Sequence, residues 1–221
     1  RNLPKDWGYY IANGIEDAIE YITDLRFEQE DIDYLRGLGR FKPEFLDSLK
    51  GFRFEGDVLA VKEGTPIFPS ELIMSVTAKR NQAQFVETAL LNMINFQTMI
   101  ASKASRVVNA AAPAEVYDFG LRRAQEEDAA MKGTRACYLA GAVATSNVKA
   151  GKEYGVRVGG TMAHSFVMTF EDELEAFRAY ANTFPNYPIL LIDTYDTLEG
   201  ARNAVIVAKE LEEKGRRLGA V

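Results

Sequence analysis

A mixed α/β fold is predicted for this 221-residue chain by three observations. Apolar residues recur at helical spacing over the first fifty positions. Short β-type runs broken by glycine and proline follow from Gly51 to Ala78, and after Pro113 strands alternate with amphipathic helices. The change of pattern places one α/β domain at 1–112 and a second domain at 113–221.

In the first domain a short extended entry leads to a helix on which Ile15, Ala18, Ile19, Ile22 and Leu25 share a face. A second helix is expected over 28–38, ending near Gly37 and Gly39, and Pro43 suits the first turn of a third that runs through Leu49. Phe52, Phe54, Val58, Ala60, Ile67, Leu72 and Met74 then sit in short strands turned by Gly56, Gly64, Pro66 and Pro69. The long helix over 82–105 is apolar on most faces (Phe85, Leu90, Leu91, Met93, Ile94, Phe96, Met99) and should be buried between layers.

In the second domain the strand segments are 115–119, 144–148, 156–161, 187–193 and 218–221. Two helices lie between the last three. One should bury Leu174, Phe177, Ala181 and Phe184, the other Leu198, Ala201, Val205, Ala208 and Leu211. Asp196 and Glu199 form a capping-box pattern at the start of the second, and Gly215 stops it. Residues 187–192 are continuously apolar, as in a parallel strand covered on both faces. Repeated β-α units form a parallel sheet, either doubly wound or closed as a barrel, and both bind ligands at the C-terminal strand ends. Those ends are 118–123, 145–147, 159–165 and 193–197, which together hold an arginine pair, hydroxyls, glycines, one histidine and three aspartates. Such a set suits phosphate together with a ribose hydroxyl or a magnesium ion.

Composition narrows the function. A net charge of −6 argues against a nucleic-acid footprint. The single Cys137 excludes an internal disulfide or a CxxC zinc motif and fits a reducing compartment such as the cytoplasm. No apolar run reaches the roughly 20 residues of a membrane helix. The chain starts at Arg1 without methionine and stops as residues 216–221 open a strand, so it reads as a fragment.

His164 is the only histidine, preceded by Gly159, Gly160 and Thr161, where the backbone can approach a ligand closely. A lone histidine is ordinarily structural; a neutral imidazole here could also act as base or nucleophile, but it cannot make a two-histidine metal site. Arg122 and Arg123 are either a solvated pair or a planar fork for phosphate or carboxylate, and Phe119 either core or a stacking surface. Asp196 is assigned to helix capping and Asp193 to sugar or metal contact; Glu171, Asp172 and Glu173 are capping acids. Residues 189–194 look like the ribose-phosphate signature of purine-salvage phosphoribosyltransferases. Thr194 replaces its second acid, however, and Leu198 and Glu199 stand where its glycine-rich loop belongs, so that reading is rejected. No Walker A loop or GxGxxG fingerprint is present.

Three strand-end segments, Phe119-Gly120-Leu121-Arg122-Arg123-Ala124-Gln125, Thr145-Ser146-Asn147-Val148 and Gly160-Thr161-Met162-Ala163-His164-Ser165-Phe166, resemble nicotinate phosphoribosyltransferase in order and spacing. Gly8-Tyr9-Tyr10-Ile11 and the stretch from Gly56-Asp57-Val58 to Pro66 are similar to that family's N-terminal domain, so the resemblance covers nearly the whole chain. It implies an N-terminal α/β domain followed by the first, truncated part of an irregular β/α barrel, in a homodimer. It implies condensation of nicotinate with phosphoribosyl pyrophosphate, with magnesium and with ATP as co-substrate, through transient phosphorylation of His164. Thr161 matches a nicotinate contact, Phe119 with Arg122 or Arg123 the ring-stacking and anion-binding strand end, and Ser165 and Asp193 join the site. The upstream tyrosine and the later strands of the family pattern are absent, so 1–221 alone is not expected to close a barrel or turn over substrate. Sister enzymes acting on nicotinamide or quinolinate, and a non-catalytic barrel module for dimerisation or metabolite sensing, are the competing readings.

Overall fold

The computed structural model describes residues 7–221, so the first part of the expected extended entry lies outside the described residues. The architecture is mixed α/β, and the chain divides into two compact units, one ending at Val158 and the other running from Gly159 to Val221.

The first unit opens with β1 (Tyr10–Ile11) and α1 (Ile15–Asp24). Gly14 precedes α1 at φ 81°, where an added Cβ would stand 2.7 Å from the Met93 carbonyl oxygen, so a side chain is barred twice over. The first amides of α1 have no local cap. Ile15 N–H and Glu16 N–H instead donate to Glu63 Oε1 at 2.7 and 3.3 Å, placing a carboxylate at the positive end of the helix. The other oxygen of Glu63 ion-pairs with Arg135 Nη2 at 2.7 Å, off the hydrogen-bonding direction. Helices α2 (Gln29–Gly37) and α3 (Pro43–Leu49) fall where the sequence places them and bury Ile32, Leu46 and Leu49 against Phe27, Phe45 and Phe85.

Strands β2 (Gly56–Ala60) and β4 (Met74–Ala78) pair antiparallel, Val58 opposite Val76, while β3 (Pro66–Ile67) pairs antiparallel with β1. Helix α4 (Arg80–Ala111) is longer than its apolar pattern, and it is not buried on apolar residues throughout. Leu91 is exposed, whereas Gln97, Thr98, Ser102 and Ser105 are buried. Two of these serve the backbone beside them: Ile11 N–H donates to Ser102 Oγ at 2.8 Å and Asn13 N–H to Thr98 Oγ1 at 3.1 Å. Side chains of a helix thus take the ladder partners that a two-residue strand lacks.

Beyond α4, β5 (Tyr117–Asp118) runs parallel to β6 (Ala144–Thr145), and Thr145 bridges in parallel to Val158. Helix α5 (Glu126–Leu139) separates β5 from β6. The strand expected over 144–148 ends at Thr145 because Asn147 turns to cap α6 (Val148–Tyr154), its side-chain oxygen accepting from Ala150 N–H at 3.2 Å. Helix α4 packs along α5, so both sides of position 112 lie in the first unit.

The second unit holds α7 (His164–Val167), α8 (Glu173–Thr183) and α9 (Thr197–Glu213), with Ile189 and Ala220 in a parallel bridge. Its core gathers Met162, Val167, Ala176, Phe177, Leu190, Val207 and Leu211. Phe177 is fully buried, which contributes roughly 2–3 kcal/mol. Asp172 caps α8 and Asp196 caps α9 by accepting from Leu198 and Glu199 amides at 3.0 and 2.9 Å. The carboxylate of Glu199 pairs with Arg202 rather than completing a capping box. The buried stripe of α9 is Gly200, Ala204, Val207 and Leu211; of the expected residues Leu211 is buried, Ala201 and Ala208 are half-buried, and Leu198 and Val205 are exposed. The cause is close approach: a Cβ on Gly200 would lie 2.1 Å from the Ile192 carbonyl oxygen, so only the glycine face can meet this segment. Phe184 also stays exposed, stacking on Tyr180 at 4.7 Å between centroids.

Candidate functional site

In the first unit the strand end after β5 is built around Asp118. Its Oδ1 accepts from Gly120 N–H at 2.9 Å, while Oδ2 accepts from the hydroxyls of Thr134 (2.8 Å) and Thr145 (3.0 Å). A carboxylate is the side chain that can accept from all three donors at once. The bond to Gly120 folds the backbone into a 3₁₀ turn over Leu121–Arg123, closed by Arg123 N–H donating to the Gly120 carbonyl at 2.9 Å. Phe119, Arg122 and Arg123 project from this turn into exposed positions. Phe119 meets Tyr117 edge-on at 6.5 Å, leaving its ring half accessible. Neither arginine has an ion-pair partner among the described residues. Unpaired guanidinium forks beside an exposed ring have the chemistry to bind an anion and to offer a stacking surface. A cavity of about 350 Å³ adjoins it, lined among others by Gly120, Arg123 and Cys137. Burial, with a smaller push from Asp118, raises the Cys137 thiol to about 12, so this cysteine stays protonated and is no nucleophile.

In the second unit Met162 and Val167 are buried on either side of residues 163–166. Those anchors fix the ends of a tight segment and leave His164, the first residue of the four-residue α7, with its side chain half exposed. The imidazole has a group near each nitrogen: Thr194 Oγ1 lies 3.2 Å from Nδ1, and Asp193 Oδ1 lies 3.9 Å from Nε2. Thr161 is exposed, with its hydroxyl donating to the Met162 carbonyl at 2.8 Å, and Ser165 is exposed beside His164. The structure thus groups Phe119, Arg122 and Arg123 on one turn of the first unit. In the second it sets Thr161 and Ser165 in the segment around His164 and brings Asp193 to the imidazole. The sequence reading assigned no site role to Asp118 or Thr194. The signal for Asp118 was a short acid directly before a Phe-Gly turn; Thr194 carried none except its place after Asp193.

Comparison with known proteins identifies the family. Residues 1–95 match the family described as nicotinate phosphoribosyltransferase (NAPRTase) N-terminal domain. A nicotinate phosphoribosyltransferase of Mycobacterium tuberculosis is 50% identical over 211 residues, 96% of this chain and 45% of the relative. The chain belongs to the nicotinate phosphoribosyltransferase family. Another nicotinate phosphoribosyltransferase, from Bacillus subtilis, is 43% identical over 220 residues, 99% of this chain and 45% of the relative. The crystal structure of human nicotinic acid phosphoribosyltransferase superimposes with a TM-score of 0.90 at 28% identity, over all of this chain and 54% of that one. The chain therefore spans about half the length of the nicotinate phosphoribosyltransferases it matches.

Proposed function

We propose that the protein carrying this chain condenses nicotinate with phosphoribosyl pyrophosphate to nicotinate mononucleotide and pyrophosphate, in the synthesis of NAD. The observation that carries the reading is His164, held outward between two buried anchors with a hydroxyl and a carboxylate at its two nitrogens. In the proposed reaction the pyridine nitrogen forms a bond to the anomeric carbon as the carbon–oxygen bond breaks and pyrophosphate leaves with the electron pair. Arg122 and Arg123 would bind anionic oxygens, Phe119 would stack on the pyridine ring, and Thr161 with Ser165 would contact the base. ATP would enter by transfer of its γ-phosphoryl to an imidazole nitrogen of His164, with ADP leaving. Magnesium, when bound, would supply charge at pyrophosphate oxygens. Among the described residues no group of three or more His, Cys, Asp or Glu is arranged to hold a metal. Asp193 is the candidate protein ligand for an ion that keeps mostly phosphate and water ligands.

The same proposal includes a homodimer in the cytoplasm, a functional division at 112/113, and an irregular β/α barrel of which this chain carries the first part. No helix among the described residues is long and apolar enough to cross a membrane. The test is to incubate the full-length protein with γ-labelled ATP and map acid-labile phosphate, then compare nicotinate, nicotinamide and quinolinate as substrates. Label on His164 and turnover of nicotinate alone are expected. Turnover of another base in its place, or nicotinate binding without pyrophosphate release, would overturn the reading.

A further inference from the structure

We propose that Thr194 is a positioning residue for His164, a role that rests on the reading of His164 as phosphoryl acceptor. The imidazole is half exposed and sits at the first position of a helix only four residues long, so its own backbone restrains it little. A histidine χ2 torsion is broad and roughly two-fold, and a 180° flip exchanges each nitrogen with a carbon. An acceptor nitrogen is in place for only part of the time unless something distinguishes the two orientations.

Asp193 cannot do so by hydrogen bonding, because 3.9 Å is beyond bonding distance; it can only bias charge. Thr194 Oγ1 is within reach of Nδ1 at 3.2 Å, and a flip would set a ring carbon against it. The hydroxyl is itself well placed. Thr194 lies between Asp193 and the α9 cap Asp196, and Gly200 lets α9 close onto the Ile192 carbonyl that precedes the pair. The position of the strand end is therefore set by packing, and Thr194 passes that position to the ring.

The test measures labelling of His164 from γ-labelled ATP in the full-length protein with Thr194→Val, Thr194→Ala and Thr194→Ser. Both variants without the hydroxyl should label about 3- to 10-fold more slowly, the worth of one hydrogen bond. They should also hydrolyse more ATP per product formed, and Thr194→Ser should restore both values. A purely structural role would lower activity without changing that ratio. Wild-type labelling rates in Thr194→Val or Thr194→Ala, or failure of Thr194→Ser to restore them, would overturn the role of Thr194 alone. No label on the wild-type protein would overturn the phosphoryl-acceptor reading and this inference with it.

Discussion

The turn after β5 and the segment around His164 are held in opposite ways. At the first, Asp118 accepts three hydrogen bonds of 2.8–3.0 Å, tying the Phe119–Arg123 turn to α5 and β6. At the second, the His164 ring has one contact of hydrogen-bonding length and a carboxylate beyond it. The difference follows the work proposed for each. An anion-binding corner gains by being fixed before its ligand arrives, since preorganised donors cost nothing to reorganise. A side chain that is to take up and surrender a phosphoryl group must admit several neighbours in turn, so few fixed bonds suit it.

Four substitutions or treatments would break or sharpen that contrast. His164→Ala should have the largest functional effect, abolishing ATP coupling while leaving slow uncoupled transfer; ATP hydrolysis that continues unchanged would remove His164 from the mechanism. Because the ring is loosely held, the same change should alter unfolding free energy by no more than about 0.5 kcal/mol. Asp118→Ala should do the reverse. It strands two hydroxyls and an amide, costing about 2–4 kcal/mol by urea denaturation, and an unshifted midpoint would show that the turn is not held by this carboxylate. Gly200→Ala should cost about 1–3 kcal/mol, because its methyl meets backbone rather than a flexible side chain. A neutral result there would mean that α9 can back away from Ile192.

The smallest effect concerns Cys137, whose half-buried thiol is pushed up to about 12. The raised value favours the protonated form in the folded state. That contribution is full below the unfolded thiol value of about 8.5 and is lost as pH climbs towards about 12. Stability should therefore fall gently with rising alkalinity, and an alkylating reagent at pH 8 should label Cys137 only in denaturant. Rapid labelling of the folded protein would contradict the burial at this strand end.

Helices were more legible than strands. The boundaries of α2 and α3 follow from Gly37, Pro43 and their flanking apolar residues, and Asp172 and Asp196 cap the helices expected of them. Strands shrank, because 115–119 and 144–148 keep only two ladder residues each before side chains take over the backbone partners. The site divided in the same manner. His164, Arg122 and Arg123 stood out by residue type and by their place after strands, whereas Asp118 and Thr194 matter through what they touch.

Sequence alone determined the mixed α/β class, most helix boundaries and the family, because periodicity, caps and motif order are local properties of the chain. Tertiary structure decided which face of α9 is buried, how Glu63 caps a helix 48 residues away in sequence from Ile15, and which hydroxyl meets His164. Those outcomes depend on distances between segments far apart in the chain, and no local pattern encodes them. Gly200 illustrates this: in sequence it is a weak helix residue, and in the fold it is where a backbone oxygen leaves no room for a methyl group.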